Sequence, residues 1–247
     1  MPFEQVDVVG APRELVALGG ALDATTLLSA YRHGAFPWPP SVGDAAGHER
    51  AMRRLARREA VAMLPTAAGE RLVPWFSPEP RAVLLPHRLS LPRSLRQQLR
   101  RSGWHTTLDA DFDRVVAACA DREQTWITGA MQSAYGGLHR AGVAHSVEVW
   151  DGERLVGGLY GVLVGRVFSG ESMFHRESGA SKVALVDLCA RLVEAGVLLL
   201  DTQQESGHLA VLGQVLVSRR EYVEVVRALR DHPAVLPAGR RQVAALA

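Results

Sequence analysis

The chain has 247 residues, 47% of them hydrophobic, and a formal net charge of +2. This length fits one large domain or two smaller ones with an ample apolar core, and the apolar runs are too short to span a membrane. The N-terminus shows no basic segment followed by an apolar run, so no export signal is predicted and a cytoplasmic location is expected. The two cysteines, Cys119 and Cys189, each fall in a helical apolar pattern, which predicts buried thiols rather than a disulfide or a metal site.

Arginine supplies nearly all of the basic side chains, and Lys182 is the single lysine. The arginines cluster at 50–58 and at 93–101. Arginine matches phosphate with bidentate geometry, so these local basic faces are compatible with a nucleic acid partner. A solvated helix face is nevertheless the commoner explanation of any single charge run.

The sequence pattern of the first part of the chain, residues 1–78, predicts a small α/β domain. Asp23 is placed to cap a helix over 25–33. A stiff loop rich in proline and aromatic residues follows at 35–40, because proline fixes φ. Residues 41–72 are rich in Ala, Arg and Glu and weakly patterned, which predicts a partly helical insertion.

Residues 79–247 predict a second domain with denser patterning. Strands are predicted at 81–85, 104–108, 145–150, 155–164, 166–169, 197–202 and 215–217. Helices are predicted at 90–101, at 128–142 and at 181–196. A further helix is predicted to begin at a cap formed by Asp109, and the last one runs from a capping box at Ser218 and Glu221 to residue 229. The tail from His232 is expected to be loosely held. This order of elements predicts an α+β fold with a mixed central sheet covered by helices.

Two acids and an amide stand out among the polar residues of the second domain. Glu171 follows two apolar runs, and a buried carboxylate is costly unless it has a partner or a task. The apolar run at 197–200 ends in Asp201 and Gln203, which would share one face of a strand because alternate residues do. We therefore expect the three side chains to meet at strand ends in one site.

Purely structural explanations of these residues stay open. Glu171 could pair with Arg166 or Arg176, and Asp201 could face water at a strand end or cap the turn at 204–207. No nucleophile elbow, HExxH spacing, Walker loop or pyrophosphate loop of the coenzyme-A acetyltransferase type occurs. No metal and no cofactor are therefore expected. Among the aromatic residues, Trp38 in its proline-rich loop is the least typical of a core.

A series of short motifs occurs in one order along the chain: AYRxGxFPW at 30–38, SPxPR at 77–81, TWIT at 125–128, AHSVEVW at 144–150, GGLYGV at 157–162, GESMF at 170–174, ASK at 180–182 and DxQ at 201–203. This series resembles the leucyl/phenylalanyl-tRNA–protein transferases. The resemblance covers about residues 15–230, apart from 41–72. Each piece is short, and the combination is specific.

The resemblance implies an aminoacyltransferase that needs no cofactor. Such an enzyme moves Leu or Phe, and in some cases Met, from aminoacyl-tRNA to the α-amine of a protein that begins with Arg or Lys, which marks the product for degradation. The implied fold is a small N-terminal domain followed by an acetyltransferase-like (GNAT-like) domain. The expected partners are the charged tRNA and the acceptor protein, with neither a membrane nor a metal.

The resemblance also implies roles for individual residues. Asp201 would orient Gln203, whose carbonyl oxygen accepts a hydrogen bond from the attacking amine, and Glu171 would bind the cationic acceptor N-terminus. Proton transfer through the tRNA ribose is an open rival. The expected walls of the donor pocket are Trp38, Trp126, Leu159, Phe168, Leu188 and Leu200. The expected tRNA contacts are Arg93, Arg96, Arg100 and Lys182.

The chain departs from the family pattern in two places. The 41–72 insertion separates the Trp38 loop from Trp75, and the usual Asp-Cys-Gln reads Asp201-Thr202-Gln203, followed by an atypical segment at 204–207. Three rival functions remain. A coenzyme-A-dependent N-acetyltransferase predicts a pyrophosphate loop, an aminoacyl-tRNA-dependent peptidyltransferase of cell-wall synthesis predicts paired domains, and an RNA-binding module leaves the acids unexplained.

Overall fold

A computed structural model of the chain describes residues 2–40, 45–59, 61–68, 70–123 and 125–247. In that part of the chain the fold is α+β, with two separate sheets. The strands are β1 (Leu15–Gly19), β2 (Phe36–Pro37), β3 (Ala62–Leu64), β4 (Pro74–Phe76), β5 (Arg81–Leu84), β6 (His105–Leu108), β7 (Ala144–Asp151), β8 (Arg154–Val164), β9 (Val167–His175), β10 (Leu199–Gln203), β11 (Val215–Val217) and β12 (Arg241–Gln242). The helices are α1 (Ala24–Tyr31), α2 (Ala45–Glu59), α3 (Arg93–Arg101), α4 (Phe112–Ala120), α5 (Gly129–Arg140), α6 (Ala180–Glu194), α7 (Gly207–Ala210) and α8 (Arg219–Leu229).

The first sheet has the order β2-β4-β1-β3 and carries α1 and α2. As predicted, Asp23 caps α1, since its carboxylate accepts a hydrogen bond of 2.7 Å from the backbone N–H of Thr26. The expected boundary at residue 78 falls between β4 of this sheet and β5 of the next one. One apolar cluster joins Phe3 and Trp75 to Val83 and Tyr160, so the two halves of the chain share a core. The division into domains stays a prediction.

The segment at 41–72 is integrated into the first sheet. It contains α2 and then β3, which pairs in parallel with β1. Its two ends are held together because β2 pairs with β4, with Phe36 opposite Phe76 and Pro37 opposite Trp75. The insertion therefore leaves the Trp38 loop beside Trp75. Positions 41–44, 60 and 69 of this segment lie outside the described residues.

The second sheet has the order β11-β5-β10-β9-β8-β7-β6-β12. It is mixed, as expected, because β10 runs parallel to β9 while β5 to β8 pair only in antiparallel fashion. The long strand β8 separates two apolar layers. Tyr160 and Val162 point into the layer that holds α4 and α5, and Leu159 and Leu163 point into the layer that holds α6, as strand alternation requires.

The C-terminal tail is fixed to the body of the fold, so the expectation of a loosely held tail was wrong. β12 pairs with β6, and the guanidinium of Arg241 makes two hydrogen bonds of 2.9 and 2.7 Å to the carboxylate of Glu194. The buried guanidinium of Arg191 donates to the carbonyl oxygens of Pro237 and Gly239. The buried side chain of Val243 completes this contact.

Two of the predicted helix starts have different outcomes. Ser218 and Glu221 form the expected capping box for α8. Asp109 does not cap α4, whose N-cap position is Asp111. Asp109 adopts a φ of 58° and accepts hydrogen bonds from the backbone N–H of Ser146 at 2.8 Å and from the ring of His145 at 2.7 Å. No helix in the described part of the chain is both long and apolar enough to cross a membrane.

Gly161 of β8 provides a test of how tightly this sheet is packed. A Cβ at this position would lie 2.3 Å from the carbonyl oxygen of Ser169 and 2.4 Å from a ring carbon of Phe168. Gly161→Ala should therefore lower the free energy of unfolding by about 1–3 kcal/mol, as overpacking does. Gly103→Ala is the control, since no atom lies within 4 Å of its added Cβ, and should change stability by less than about 0.5 kcal/mol. Equal stability of the two variants in denaturant unfolding would contradict this packing.

Candidate active site

A cavity of about 1110 Å³ opens beside β9 and β10. Its walls come from the Trp38 loop, α3, the end of α4, β9, the start of α6 and the segment after β10. The polar and charged groups on its walls include Glu171, Gln203, Glu205, Arg122, Arg176 and Lys182. Its apolar walls include Phe36, Trp38, Leu95, Trp126, Met173, Phe174, Leu185 and Leu209.

Glu171 reaches the cavity because it sits on a β-bulge. Along the β8–β9 ladder, Tyr160 pairs with Ser172 and Gly161 pairs with Gly170, which leaves Glu171 as the extra residue. A bulge of this kind redirects a side chain out of the regular alternation. The strand therefore continues through Glu171 to His175, well beyond the end predicted from the apolar run.

The strands β9 and β10 separate at the same level. Their parallel pairing extends from Val167 opposite Leu199 to Ser169 opposite Asp201, and no further pair follows. β9 then continues along β8, whereas β10 turns toward β5. Glu171 and Gln203 lie just past this point, one on each strand.

Glu171 is buried, and its partners are neutral groups. Its Oε2 accepts a hydrogen bond of 2.7 Å from the hydroxyl of Tyr135, and its Oε1 accepts one of 2.9 Å from the amide nitrogen of Gln203. The hydroxyl of Tyr31, from α1, lies 2.6 Å from that of Tyr135. Neither Arg166 nor Arg176 forms an ion pair with Glu171 among the described residues, so the expected structural alternative does not hold.

Burial has the largest effect on the protonation of the Glu171 carboxyl. Loss of hydration raises the pKa of Glu171 to about 7, although hydrogen bonds from Tyr135 and Tyr31 oppose the rise. Burial and the nearby charge of Glu171 raise the pKa of both tyrosines well above its usual value. The phenols therefore stay protonated and act as donors, and Glu171 titrates near neutral pH.

Asp201 lies beneath the cavity rather than on its wall. Its two oxygens accept hydrogen bonds from Nε and Nη2 of Arg81, at 2.8 and 2.6 Å, and the pair is completely buried. The hydroxyl of Tyr222 adds a hydrogen bond of 2.8 Å and that of Ser169 one of 3.3 Å. Asp201 thus neither faces water nor caps the turn at 204–207.

The expectation that Asp201 and Gln203 share one face of a strand was wrong. The pairing of β10 with β5 shifts register between the two residues, and Gln203 has a left-handed φ of 66°. This turn is held by a hydrogen bond of 2.9 Å from the backbone N–H of Gln203 to Oδ1 of Asp201. Asp201 therefore orients Gln203 through the backbone, while the side-chain amide nitrogen is held by Glu171 and the amide oxygen remains available to the cavity.

Several residues of this site were not singled out from the sequence. Arg81 was predicted only as the start of a strand and as part of the SPxPR motif, and Tyr31 only as part of a motif; neither was given a role in the site. Tyr135 falls in the helix predicted at 128–142, and it is completely buried. A charged residue at the start of an apolar strand was the one available signal for Arg81, because such a charge needs a buried partner.

The residues expected to form the donor pocket fall into two groups. Trp38, which is 37% exposed, and Trp126 line the cavity. The other four do not line it, because their side chains are buried in the α6 layer: Leu159, Phe168, Leu188 and Leu200. They belong to the same apolar cluster as Leu95 and Leu185, which do line the cavity, and so form the layer behind its wall.

The residues expected to contact the tRNA also fall into two groups. Lys182, in the first turn of α6, lines the cavity. Arg93, Arg96 and Arg100 are exposed on α3, but the α3 residues that line the cavity are Ser94, Leu95 and Gln98. At about 100° per residue, the three arginines lie roughly 100° or more around the helix from Ser94 and Gln98. The structure does not bring this stripe to the cavity.

No group of three His, Cys, Asp or Glu side chains within the described ranges could hold a metal ion. Cys119 and Cys189 are both buried, and burial raises the pKa of each thiol to about 12. Neither cysteine lines the cavity. The cavity itself offers the carboxylates of Glu171 and Glu205, the amide of Gln203, the imidazoles of His175 and His208, and cationic side chains.

The model of the leucyl/phenylalanyl-tRNA protein transferase family matches residues 83–227, more than half of the chain, and the model of the N-terminal domain of that family matches residues 20–44. The chain belongs to the leucyl/phenylalanyl-tRNA–protein transferase family. As a member, it is an enzyme of the aminoacyltransferase class. The segment at 45–82 lies outside both matched ranges, and it includes α2 and β3.

Curated members of the family are similar to this chain over most of its length. The leucyl/phenylalanyl-tRNA–protein transferase of Pseudomonas fluorescens (strain Pf0-1) is 42% identical over 226 residues, which cover 90% of this chain and 88% of that protein. The transferase of Ectopseudomonas mendocina (strain ymp) is 41% identical over 227 residues, with 90% and 88% coverage. That of Salmonella newport (strain SL254) is 42% identical over 224 residues, with 90% and 84% coverage.

The raised pKa of Glu171 predicts a pH dependence of stability. Because the folded state holds this proton up to a pH of about 7 and a model carboxyl loses it near 4.5, the free energy of unfolding should fall as the pH rises between these values. At about 1.4 kcal/mol per pKa unit, the decrease is on the order of 3 kcal/mol.

Glu171→Gln removes this titration. The variant should gain stability relative to the parent protein from pH 4.5 to about 7 and keep that gain above pH 7. Urea unfolding at a series of pH values measures it. Glu153→Gln makes the same chemical change on an exposed side chain and should follow the parent. A constant difference between Glu171→Gln and the parent across this range would show that the buried carboxyl does not titrate there.

Proposed function

We propose that the protein transfers Leu or Phe, and in some cases Met, from aminoacyl-tRNA to the N-terminal α-amine of proteins that begin with Arg or Lys. The product would be marked for degradation, and the reaction would take place in the cytoplasm, where charged tRNA is found. The observation that carries the proposal is the amide of Gln203, fixed by Glu171 and open to the cavity, in a member of this family.

We also propose that the second sheet and its helices form an acetyltransferase-like (GNAT-like) domain. In that architecture a separated pair of central strands receives the acyl donor. The parting of β9 and β10 after the pair Ser169 and Asp201 supports this assignment, and so does the cavity at that opening. The shared architecture says nothing by itself about the substrate.

The reaction forms one amide bond and breaks one ester bond. The α-amine attacks the carbonyl carbon of the aminoacyl ester, the C–O bond to the ribose breaks, and one proton passes from the nitrogen to the ribose oxygen. The ester is already activated, so most of the catalytic work is positioning and proton handling. A peptide α-amine has a pKa of about 8, so a fair fraction is neutral near physiological pH and no strong base is needed.

Gln203 is suited to hold the attacking amine. Its amide nitrogen donates to Glu171, so its oxygen is the free acceptor on the cavity side and can receive a hydrogen bond from the amine N–H. Asp201 acts beneath it as a positioning residue. Both of its oxygens accept hydrogen bonds from Arg81, and its contact with Gln203 is made only through the backbone N–H of that residue. The proton would then reach the ribose oxygen directly or through the ribose hydroxyl.

The donor side chain would lie against the apolar part of the cavity wall. Trp38 and Trp126 contact this space, and Leu95 and Leu185 close it on the side of α6. Leu159, Phe168, Leu188 and Leu200 would set the shape of the pocket from behind, since they pack in the same cluster as those two leucines. A missing methylene in such a pocket costs only about 1–3 kcal/mol, so discrimination between similar donors should be modest.

The acceptor would approach the acidic side of the cavity. Glu171 supplies a carboxylate at the attack point, and Glu205 supplies a second, exposed one on the rim. Together they would attract a cationic N-terminal residue. Lys182, which also lines the cavity, would face the negatively charged 3′ end of the tRNA, and Arg93, Arg96 and Arg100 would contact the tRNA only if it extends around α3.

A transfer assay tests the function directly. The protein incubated with radiolabelled Leu-tRNA and an Arg-starting protein should place label at the new N-terminus, and an otherwise identical Ala-starting protein should receive little. Acetyl-coenzyme A should not serve as donor. Label on a cell-wall peptide, acetylation of an amine, or binding of tRNA without transfer would each contradict the proposal and favour one of the three rival functions.

The role of Gln203 predicts a specific kinetic defect. Gln203→Gly removes the amide and keeps a residue that tolerates left-handed φ, so the turn should survive. The single-turnover rate should fall about 10²-fold or more, while the affinity for Leu-tRNA changes little. Gln204→Ala removes the neighbouring side chain, which also lines the cavity, and should keep the rate within about threefold. A near-normal rate in Gln203→Gly would exclude this role.

A further inference from the structure

The helix α2 of the 41–72 insertion carries an unusual density of positive charge. Five of the nine residues at 50–58 are arginines, and all five side chains are exposed: Arg50, Arg53, Arg54, Arg57 and Arg58. This helix lies outside both ranges that match the family models. Its charge is therefore a feature of this chain that the family match does not explain.

The helix is held to the first sheet by its apolar side. Met52 and Leu55 pack against the small core cluster of Leu15, Leu18, Ala56 and Val61, and Phe76 of β4 packs against the same cluster. Phe76 in turn meets the ring of Trp38 edge to face, with 5.9 Å between ring centroids. Two layers of side chains thus connect α2 to the wall of the active-site cavity.

Within the described part of the chain, one row of arginines on α2 shows no ion pair with an acidic side chain. Arg53 pairs with Glu49 at 2.8 Å, but no ion pair involves Arg50, Arg54 or Arg58 in the described part of the chain. These three are spaced by four residues, so they share one face of the helix and repel one another. They line a groove of about 350 Å³, together with Gly47, Ala51 and Leu55.

We propose that the row Arg50, Arg54 and Arg58 binds the phosphate backbone of the donor tRNA outside its 3′ end. The inference rests on the proposed function, and it specifies where the body of the RNA lies. The row extends about 12 Å along the helix. Guanidinium groups match phosphate in bidentate fashion, and a polyanion would relieve the repulsion within the row.

The position of the row favours RNA over an acidic protein as the occupant. The cavity accepts only the aminoacyl end of the donor, so the rest of the tRNA must pass over the surface around it. The Trp38 side of the cavity leads to α2 through Phe76, whereas the arginine row of α3 does not line the cavity. The row on α2 therefore lies on an element that packs, through Phe76, beside the Trp38 wall of the cavity.

The test is the triple variant Arg50→Gln, Arg54→Gln, Arg58→Gln, since glutamine keeps the helix propensity. The affinity for Leu-tRNA at low salt should fall at least tenfold, and the slope of log affinity against log salt should fall by about two to three units. The rate at saturating tRNA should not change. Transfer from leucyl-adenosine, which lacks every phosphate, should equal that of the parent protein.

A matched control removes the same charge elsewhere. Arg220→Gln, Arg227→Gln, Arg240→Gln changes three exposed arginines of α8 and the tail, and it should keep the parent salt slope. An unchanged slope in the α2 variant, an equal loss in the control, or an equal loss with leucyl-adenosine would each overturn the proposal. A rise in the acceptor KM alone would also overturn it, in favour of a protein on this face. Failure of the parent to transfer Leu would instead refute the proposed function.

Discussion

The buried ion pair between Arg81 and Asp201 is the interaction on which the active site depends. It joins β5 to β10, and the same carboxylate fixes the backbone N–H that starts the left-handed turn at Gln203. Removing one member of such a pair leaves an uncompensated buried charge, which costs about 3–5 kcal/mol. The end of β10 is therefore held rigidly, and the amide of Gln203 is held in place with it. The pair does not line the cavity, so in the proposed reaction it would position Gln203 without touching a substrate.

The two acids of the site, Glu171 on β9 and Asp201 on β10, occupy opposite electrostatic situations. Asp201 has a guanidinium and a phenol directly against it, whereas Glu171 has only the neutral donors Tyr135 and Gln203. Burial without a cation raises the pKa of Glu171 to about 7, so its charge is held at a cost to the folded state. An incoming ammonium would supply the missing cation. The unfavourable burial of this carboxylate is thus the feature that makes the cavity selective for a positively charged acceptor in the proposed reaction.

The sequence predicted that Glu171, Asp201 and Gln203 would come together, because each follows an apolar run that ends at one side of a sheet. It could not predict how they are oriented. The bulge at Glu171 and the register shift after Asp201 depend on pairing with β8 and β5, which are distant in sequence. Arg81 lies 120 residues from its partner. The pocket leucines were misplaced for a related reason, because an apolar residue on a strand or helix shows its burial pattern but not whether it forms the first or the second layer behind a cavity.

The segment at 41–72 adds a basic helix to the first sheet, and the Trp38 loop still lies beside Trp75. Its ends lie on β2 and β4, which already pair, so the added residues close a loop at a point that the sheet holds together, and closure entropy rises only slowly with loop length. Met52 and Leu55 give the new helix its own attachment to the sheet, and Phe76 links that attachment to Trp38. The cavity geometry and the charge of the surrounding surface can therefore vary independently. In the proposed reaction, such a division would let the recognition of the tRNA change while Gln203 and the carboxylate beside it stay fixed.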